Sequence, residues 1–436
     1  MKRSLPIPLV VTAAILVAPP AAASAADQER IRAIEAYVQQ YQHMAAFDGV
    51  VLIARDSEIV WQKAFGFAEY ARRLLMSTDA VFRIAALSKQ ATKAAIGLLA
   101  EQDKLRLDSR LAEFLPDFPN AKRITIRQLL DHTAGIAHTD QLAWMDMQRA
   151  MSVDDIVDGL SREELLFPPG HGKQYSNGGY ALLAKVIEIA SGKSFDNFID
   201  SEIAARGFTS FGHETPFEVV PGMVGRYTPG PVYGERVEAE TDITANRIGG
   251  GSLHASAEDV FRFFRASTNG DLLSPETTAA LFALPGDGEI RVTGHSPGAL
   301  AQVYLDIEDG LTVVTLSSNS AWPAGFNTDI VSLYRGEDVP LTTFSLSSRT
   351  LTEGDISAVT GDFVAERFGW EVSIEPGDAN LVFVQGDVRS AFARSTDGEF
   401  HLPIYDWLCR YGDYGLEFEC RQRDPDATIR FRFSRQ

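Results

Sequence analysis

Three stretches of the chain hold residue types that chemistry uses. Ala86-Leu87-Ser88-Lys89 begins a helical pattern, Tyr175-Ser176-Asn177 falls in a mostly helical region, and Gly294-His295-Ser296-Pro297-Gly298 precedes strand-like sequence. The last spells G-x-S-x-G, the nucleophile-elbow pattern. That elbow needs the backbone N–H after the serine as an oxyanion donor, and Pro297 has none. The next stretch, Ala301 through Leu316, is also strand-like where the elbow requires a helix, so Ser296 is not read as a nucleophile. The eight histidines show no H-E-x-x-H or Cys/His spacing, so no metal and no cofactor is expected. Cys409 and Cys420 fall symmetrically about Tyr414-Gly415. A two-residue hairpin turn there would set them opposite each other, and an oxidising compartment would let them close a disulfide. The alternative is two free thiols in a β core.

A longer set of residues carries more. Phe82-Arg83-Ile84-Ala85-Ala86-Leu87-Ser88-Lys89-Gln90 leads into the helix Ala91 to Gln102, and Ile124 to Ile136 includes Gln128-Leu129-Leu130-Asp131-His132-Thr133-Ala134-Gly135. Further on come Pro169-Gly170, Tyr175-Ser176-Asn177-Gly178-Gly179-Tyr180 and Gly249-Gly250-Gly251. In this combination the sequence resembles the serine β-lactamase and penicillin-binding-protein superfamily, closest to the class C β-lactamases and their esterase and D-aminopeptidase relatives, over roughly residues 29–335.

The resemblance implies a serine at a helix start with a lysine three residues on, both on one helical face. Lys89 matches that lysine, which must lose its proton near neutrality, about three units below its free value near 10.4. Tyr175 matches the tyrosine that shares the proton, and Asn177 the asparagine that holds the lysine and a substrate amide. Three residues before Lys89, where the family has its serine, stands Ala86. A methyl group cannot form an acyl-enzyme. Ser88 lies on another helical face and does not substitute. The best match to the third motif, which binds substrate on the strand beside the nucleophile, is His295 through Gly298. Pro297 stands where its glycine is expected, removing a backbone N–H. Asp131-His132 matches a buried structural stretch.

These residues need elements to hold them. Ile31, Ile34, Tyr37, Val38 and Tyr41 recur at helical spacing, and Gly49 to Ile53 with Ile59 to Trp61 reads as a hairpin turning at Asp56-Ser57. Strands return at Ile290 to Thr293, Ala301 to Ile307 and Leu311 to Leu316, with helical patterns between. One mixed layer completed by both ends is expected. After about Arg335, short apolar alternations such as Trp370 to Ile374 and Ile429 to Phe433 suggest an all-β unit, a barrel or a sandwich. The fold class is therefore α/β, β-lactamase-like: an antiparallel sheet flanked by helices plus an all-helical subdomain over 27–340, then a small all-β domain over 350–436.

Composition sets the context. Of 436 residues, 40 are Lys or Arg and 59 Asp or Glu, for a net charge of −19, and no basic block follows the first residues. Nucleic acid is thus not an expected partner. Met1-Lys2-Arg3, the apolar run Leu9 to Val17 and the small residues before Asp27 read as a signal peptide over 1–25. The expectation is an exported protein, periplasmic or secreted, with no integral membrane segment once processed. It would bind peptidoglycan-like peptides, D-amino acids, small esters or the cell wall without acylation. The alternative is an active serine hydrolase whose nucleophile at position 86 has been substituted.

Overall fold

The computed structural model describes residues 25–215, 219–282, 288–321, 323, 325–339, 356, 359–365, 371–377, 381–386, 388–394, 399–405, 407–411, 417–422 and 430–435. The expected signal peptide apart from its last residue, most of the stretch joining the two domains and the Tyr414-Gly415 turn lie outside the described residues.

Both ends of the large domain meet in one antiparallel sheet. Its order is Glu289–Ser296, Ala299–Asp306, Leu311–Ser317, Gly49–Arg55, Glu58–Phe65. Val51 pairs with Thr315 across the junction of the two ends. Successive side chains alternate between faces. Val50, Leu52, Ala301, Val303, Val314 and Leu316 join a core with Leu87, Ala91, Ala95, Val260 and Phe263, from the helical residues beneath. Val51, Ile53 and Val313 join the opposite core with Tyr37 and Tyr41 of helix Ala25–His43 and Phe326 and Ile330 of helix Phe326–Arg335. Burial on both faces explains why the central strands read as continuous apolar runs.

The helical subdomain packs on helix Ser88–Glu101, whose Ala91, Ala94, Ala95 and Gly97 allow close approach. Its helices carry their own start signals. Thr125 and Gln128 form a reciprocal capping box, and Ser176 Oγ accepts from the Gly179 N–H at 2.9 Å to open helix Asn177–Ser191.

The C-terminal part is an antiparallel nine-stranded sheet running in order from Val388–Ala391 to Ala393–Arg394. Those two outermost strands are separated in sequence by Phe392 alone. The sheet's edges therefore come together at that residue, which makes a nearly closed barrel and decides between the two expected architectures. Phe363, Phe383, Leu402, Phe418 and Phe433 are buried. Cys409 and Cys420 are cross-strand partners joined by a disulfide. Ala391 donates its N–H to the Gly230 carbonyl of the large domain at 3.1 Å. No helix among the described residues is long and apolar enough to cross a membrane.

Candidate active site

Strand Phe82–Arg83 pairs with Leu253–Ala255, and the chain then turns sharply into helix Ser88–Glu101. Ala85 holds a φ of 44°, a left-handed conformation costly for a residue with a Cβ. The turn is clamped by Ser88. Its hydroxyl donates to the Ala85 carbonyl at 2.6 Å and accepts from the Leu253 N–H at 3.0 Å, fully buried. Ser88 is thus committed to the backbone, and Ala86 is the one partly open residue of the Ala85–Leu87 turn.

Lys89, one helical turn on, is 4 % exposed. Its Nζ lies 2.7 Å from Asn177 Oδ1 and 2.5 Å from the Gly250 carbonyl, over the faces of Tyr175 and Tyr180, whose centroids are 4.6 and 5.2 Å away. Burial drives the amine down to about 7; the Asp140 charge opposes this and Arg247 adds to it. Burial also pushes the Tyr175 phenol up to about 12, so it stays protonated at neutral pH.

Asn177 has no freedom to turn over. Its Nδ2 donates to Asp140 Oδ1 at 2.9 Å, which leaves Oδ1 for Lys89, and its N–H donates to His138 Nδ1 at 3.1 Å. Ser176 N–H likewise donates to His132 Nδ1 at 3.2 Å. Both imidazoles thus serve as acceptors for N–H groups at the helix start, and burial holds them neutral, His132 down to about 4. Behind Asp140 runs a chain of alternating charges. Asp140 pairs with Arg247 at 2.7 Å, Arg247 with Asp242, Asp242 with Arg226, Arg226 with Glu214 at 3.4 Å, and Glu214 with Arg83 at 2.7 Å. Burial alone would raise Asp140, but Arg247 and the hydrogen bonds from Asn177 and Arg247 hold it below the usual carboxylate range.

The edge strand corrects the reading of the third motif. The residue that meets the turn is Gly294: a Cβ there would stand 2.5 Å from the Ile84 carbonyl oxygen and 2.7 Å from the Ala86 nitrogen. Alternation places Val292 and Ser296 on that face and turns the exposed His295 to the reverse, where its Nε2 lies 2.7 Å from the Ser320 carbonyl oxygen. Pro297 stands in the turn beyond the strand, so the N–H it lacks is not taken from the strand itself. Gly298, at φ 67°, donates to Ser320 Oγ at 2.7 Å and is packed against Arg226. The structure therefore gathers Lys89, Tyr175 and Asn177 beside the turn bearing Ala86, and sets His295 and Gly298 around Ser320. Val292, two residues before Gly294, lies on the same face of the strand.

Sequence reasoning missed Asp140, Arg247, the Gly250 carbonyl and Gly294. Among the described residues no group of three or more His, Cys, Asp or Glu could hold a metal ion.

The beta-lactamase family model matches residues 34–331, and the chain belongs to that family. It is 32% identical over 256 residues to a penicillin-binding protein of Bacillus subtilis (strain 168), spanning 54% of this chain and just over half, 56%, of that protein. It is 27% identical over 304 residues to the esterase EstB of Burkholderia gladioli, 59% of this chain and 75% of the esterase. A crystal structure of SurE matches with a TM-score of 0.60 at 19% identity over 94% of this chain and 99% of SurE, so the shared fold includes the C-terminal barrel.

Proposed function

We propose that this chain is an exported, non-acylating member of the beta-lactamase family that binds small amides, esters or D-amino-acid peptides of the peptidoglycan type. The observation that carries the reading is Ala86: the clamped turn presents a methyl group where the family chemistry needs a hydroxyl. Ser88 supports it, since its hydroxyl is committed to the Ala85 and Leu253 backbone and does not take over. Removal of a nucleophile serine lowers kcat by roughly 10⁶ in a well-studied hydrolase, which leaves ligand binding as the activity. The name of the Bacillus relative supports a penicillin-like ligand, and that of the Burkholderia relative an ester. The N-terminal leader supports export.

One observation favours an active serine hydrolase substituted at position 86: Lys89, Tyr175 and Asn177 keep their mutual contacts. A single pair of experiments separates the readings. Purified protein incubated with fluorescent penicillin or an activated ester is expected to carry no covalent label, while calorimetry detects a D-alanyl-D-alanine peptide. A labelled band overturns the non-acylating reading. Ala86→Ser that restores ester hydrolysis shows that only the nucleophile is missing.

A further inference from the structure

We propose that the hairpin over residues 67–75 is a prong that seats the chain on an anionic phospholipid surface. Two short strands, Phe67–Glu69 and Leu74–Leu75, pair antiparallel, with Phe67 opposite Leu75 and Glu69 opposite Leu74. Residues 71–75 are all exposed, and they read Ala-Arg-Arg-Leu-Leu. Leu74 is 57 % exposed, Leu75 69 %, and the Arg72 side chain 81 %. Adjacent exposed apolar side chains rimmed by polar ones mark interaction sites, whereas single ones do not.

The prong stands on a fixed base. Tyr70, at its turn, donates its hydroxyl to Asp48 Oδ1 at 2.5 Å and its N–H to the Tyr227 hydroxyl at 2.9 Å. Just past Leu75, the Met76 N–H meets the Gly66 carbonyl at 3.0 Å and the Met76 side chain is buried. The leucines are thus held out in water by the frame beneath them. Arg73 closes the turn by donating its N–H to the Tyr70 carbonyl at 3.1 Å, and its φ is 54°. Glycine or asparagine is the ordinary residue in that left-handed conformation. The turn therefore carries a long cationic side chain where the backbone favours a small one.

Two features choose the occupant. Successive side chains of a strand point to opposite faces, so Leu74 and Leu75 leave the ribbon in opposite directions. A protein partner presents one face and covers one of them, while the headgroup layer of a bilayer surrounds a tip and covers both. The second feature is charge. The chain carries −19 overall, yet residues 71–75 hold two arginines and no carboxylate. The carboxylates nearest in sequence are engaged: Glu69 pairs with Arg72 at 3.2 Å, and Asp79 accepts from the Ser77 hydroxyl. Arg73 makes no ion pair among the described residues. Guanidinium groups beside leucines match a layer of phosphate esters with acyl chains beneath it. At physiological ionic strength charges act over about 8 Å, so the cations at the tip govern its approach more than the net charge of the body does. The inference uses neither Ala86 nor the ligand proposed above, and it is tested apart from them.

Vesicle binding is the test. The full chain is mixed at physiological ionic strength with sedimentable vesicles of phosphatidylcholine, alone or in equal mixture with phosphatidylglycerol, and the bound fraction is read from the pellet. Binding to the mixed vesicles is expected to exceed binding to phosphatidylcholine about tenfold. Leu74→Ser with Leu75→Ser, and separately Arg72→Gln with Arg73→Gln, should each lower it about tenfold. Cys409 and Cys420 are joined, so Leu75→Cys supplies one thiol for an environment-sensitive fluorophore, whose emission should shift to the blue on the mixed vesicles. Absence of binding, equal binding to both vesicle types, or an unmoved fluorophore overturns the inference. So does attachment that survives either double substitution, as attachment through the apolar N-terminal run would. A dimer in sedimentation equilibrium that the leucine substitutions abolish, with no vesicle binding, overturns it in favour of a second copy of the chain.

Discussion

The two sides of the site are built in opposite ways. On one side Lys89, Asn177 and Asp140 are bound into each other, to the Gly250 carbonyl and to a charge chain that ends at Arg83, every bond made by buried or half-buried groups. On the other side the turn carrying Ala86 is held by Ser88 and by the close approach of Gly294, and the Ala86 side chain is bound to nothing polar. The difference teaches which residues a fold can shed. Removing Lys89 strands two buried acceptors, whereas exchanging a methyl for a hydroxyl at position 86 strands none. Lys89 and Asn177 are therefore held by the structure itself, and their presence alone does not argue for catalytic turnover.

The sharpest way to break that contrast is Lys89→Met. It keeps the apolar stem but leaves Asn177 Oδ1 and the Gly250 carbonyl without their donor, a loss of about 2–4 kcal/mol. The sign of its pH dependence follows from the lysine itself. The folded-state value, about 7, lies below the unfolded one near 10.4, so between those pH values the unfolded chain holds the extra proton. Wild-type stability should rise through that window and the variant should not share the rise, so the gap widens from pH 7 to pH 10. Urea unfolding at three pH values measures it. Equal stability at pH 10 would remove the structural account of why Lys89 is kept.

Asp140→Asn comes next, at about 1–2 kcal/mol, because a charged acceptor becomes a neutral one while Arg247 retains Asp242. The Asp140 charge props up the Lys89 proton, so the variant's lysine should titrate lower still. A heteronuclear NMR titration of Lys89 checks the direction. An unmoved or higher value would show that the two groups are not in electrostatic contact.

How much of this was legible depends on whether the signal is local. Val50 to Ile53, the three late strands and the starts of the helices announce themselves through period, turn residues and caps. Lys89, Tyr175 and Asn177 are legible as parts of short strings. The third motif misleads because Gly294 to Gly298 matches by letters, while the pleat decides which residues face the turn. That places Gly294 against Ala86 and sends His295 to the other side. The charge chain is invisible in the sequence, since Arg83, Asp140, Glu214, Arg226, Asp242 and Arg247 share no periodicity, and the Gly250 contribution is a backbone carbonyl. Barrel closure at Phe392 likewise depends on the pairing order of nine strands.

The Lys89 side of the site predicts an acid response. His132 accepts the Ser176 N–H through Nδ1 and titrates at about 4 in the folded chain, below an unfolded histidine near 6.5. Its contribution is complete above about pH 6.5 and is lost as the pH falls toward 4, when the unfolded chain takes up the proton first. The ring is partly open to solvent, so the loss is about 1 kcal/mol rather than the full value of the shift. Comparing wild type with His132→Gln from pH 7 to pH 4.5 isolates it. Parallel stability curves would mean that the ring contributes nothing through its protonation state.

The smallest expected effect is the most informative about the opposite side. Ala86→Ser adds one oxygen at a position that is already partly open, on a turn whose shape is set by Ser88 and Gly294, so stability should move by no more than about 0.5 kcal/mol. A loss above about 2 kcal/mol would mean that the methyl is packed and that the chain has adapted around alanine. In that case the two sides would be equally constrained, and the absence of the nucleophile would be built into the fold. Near-neutral stability, read by thermal unfolding at pH 7, instead leaves position 86 as a site where chemistry can be lost or restored without disturbing anything else that holds the site together.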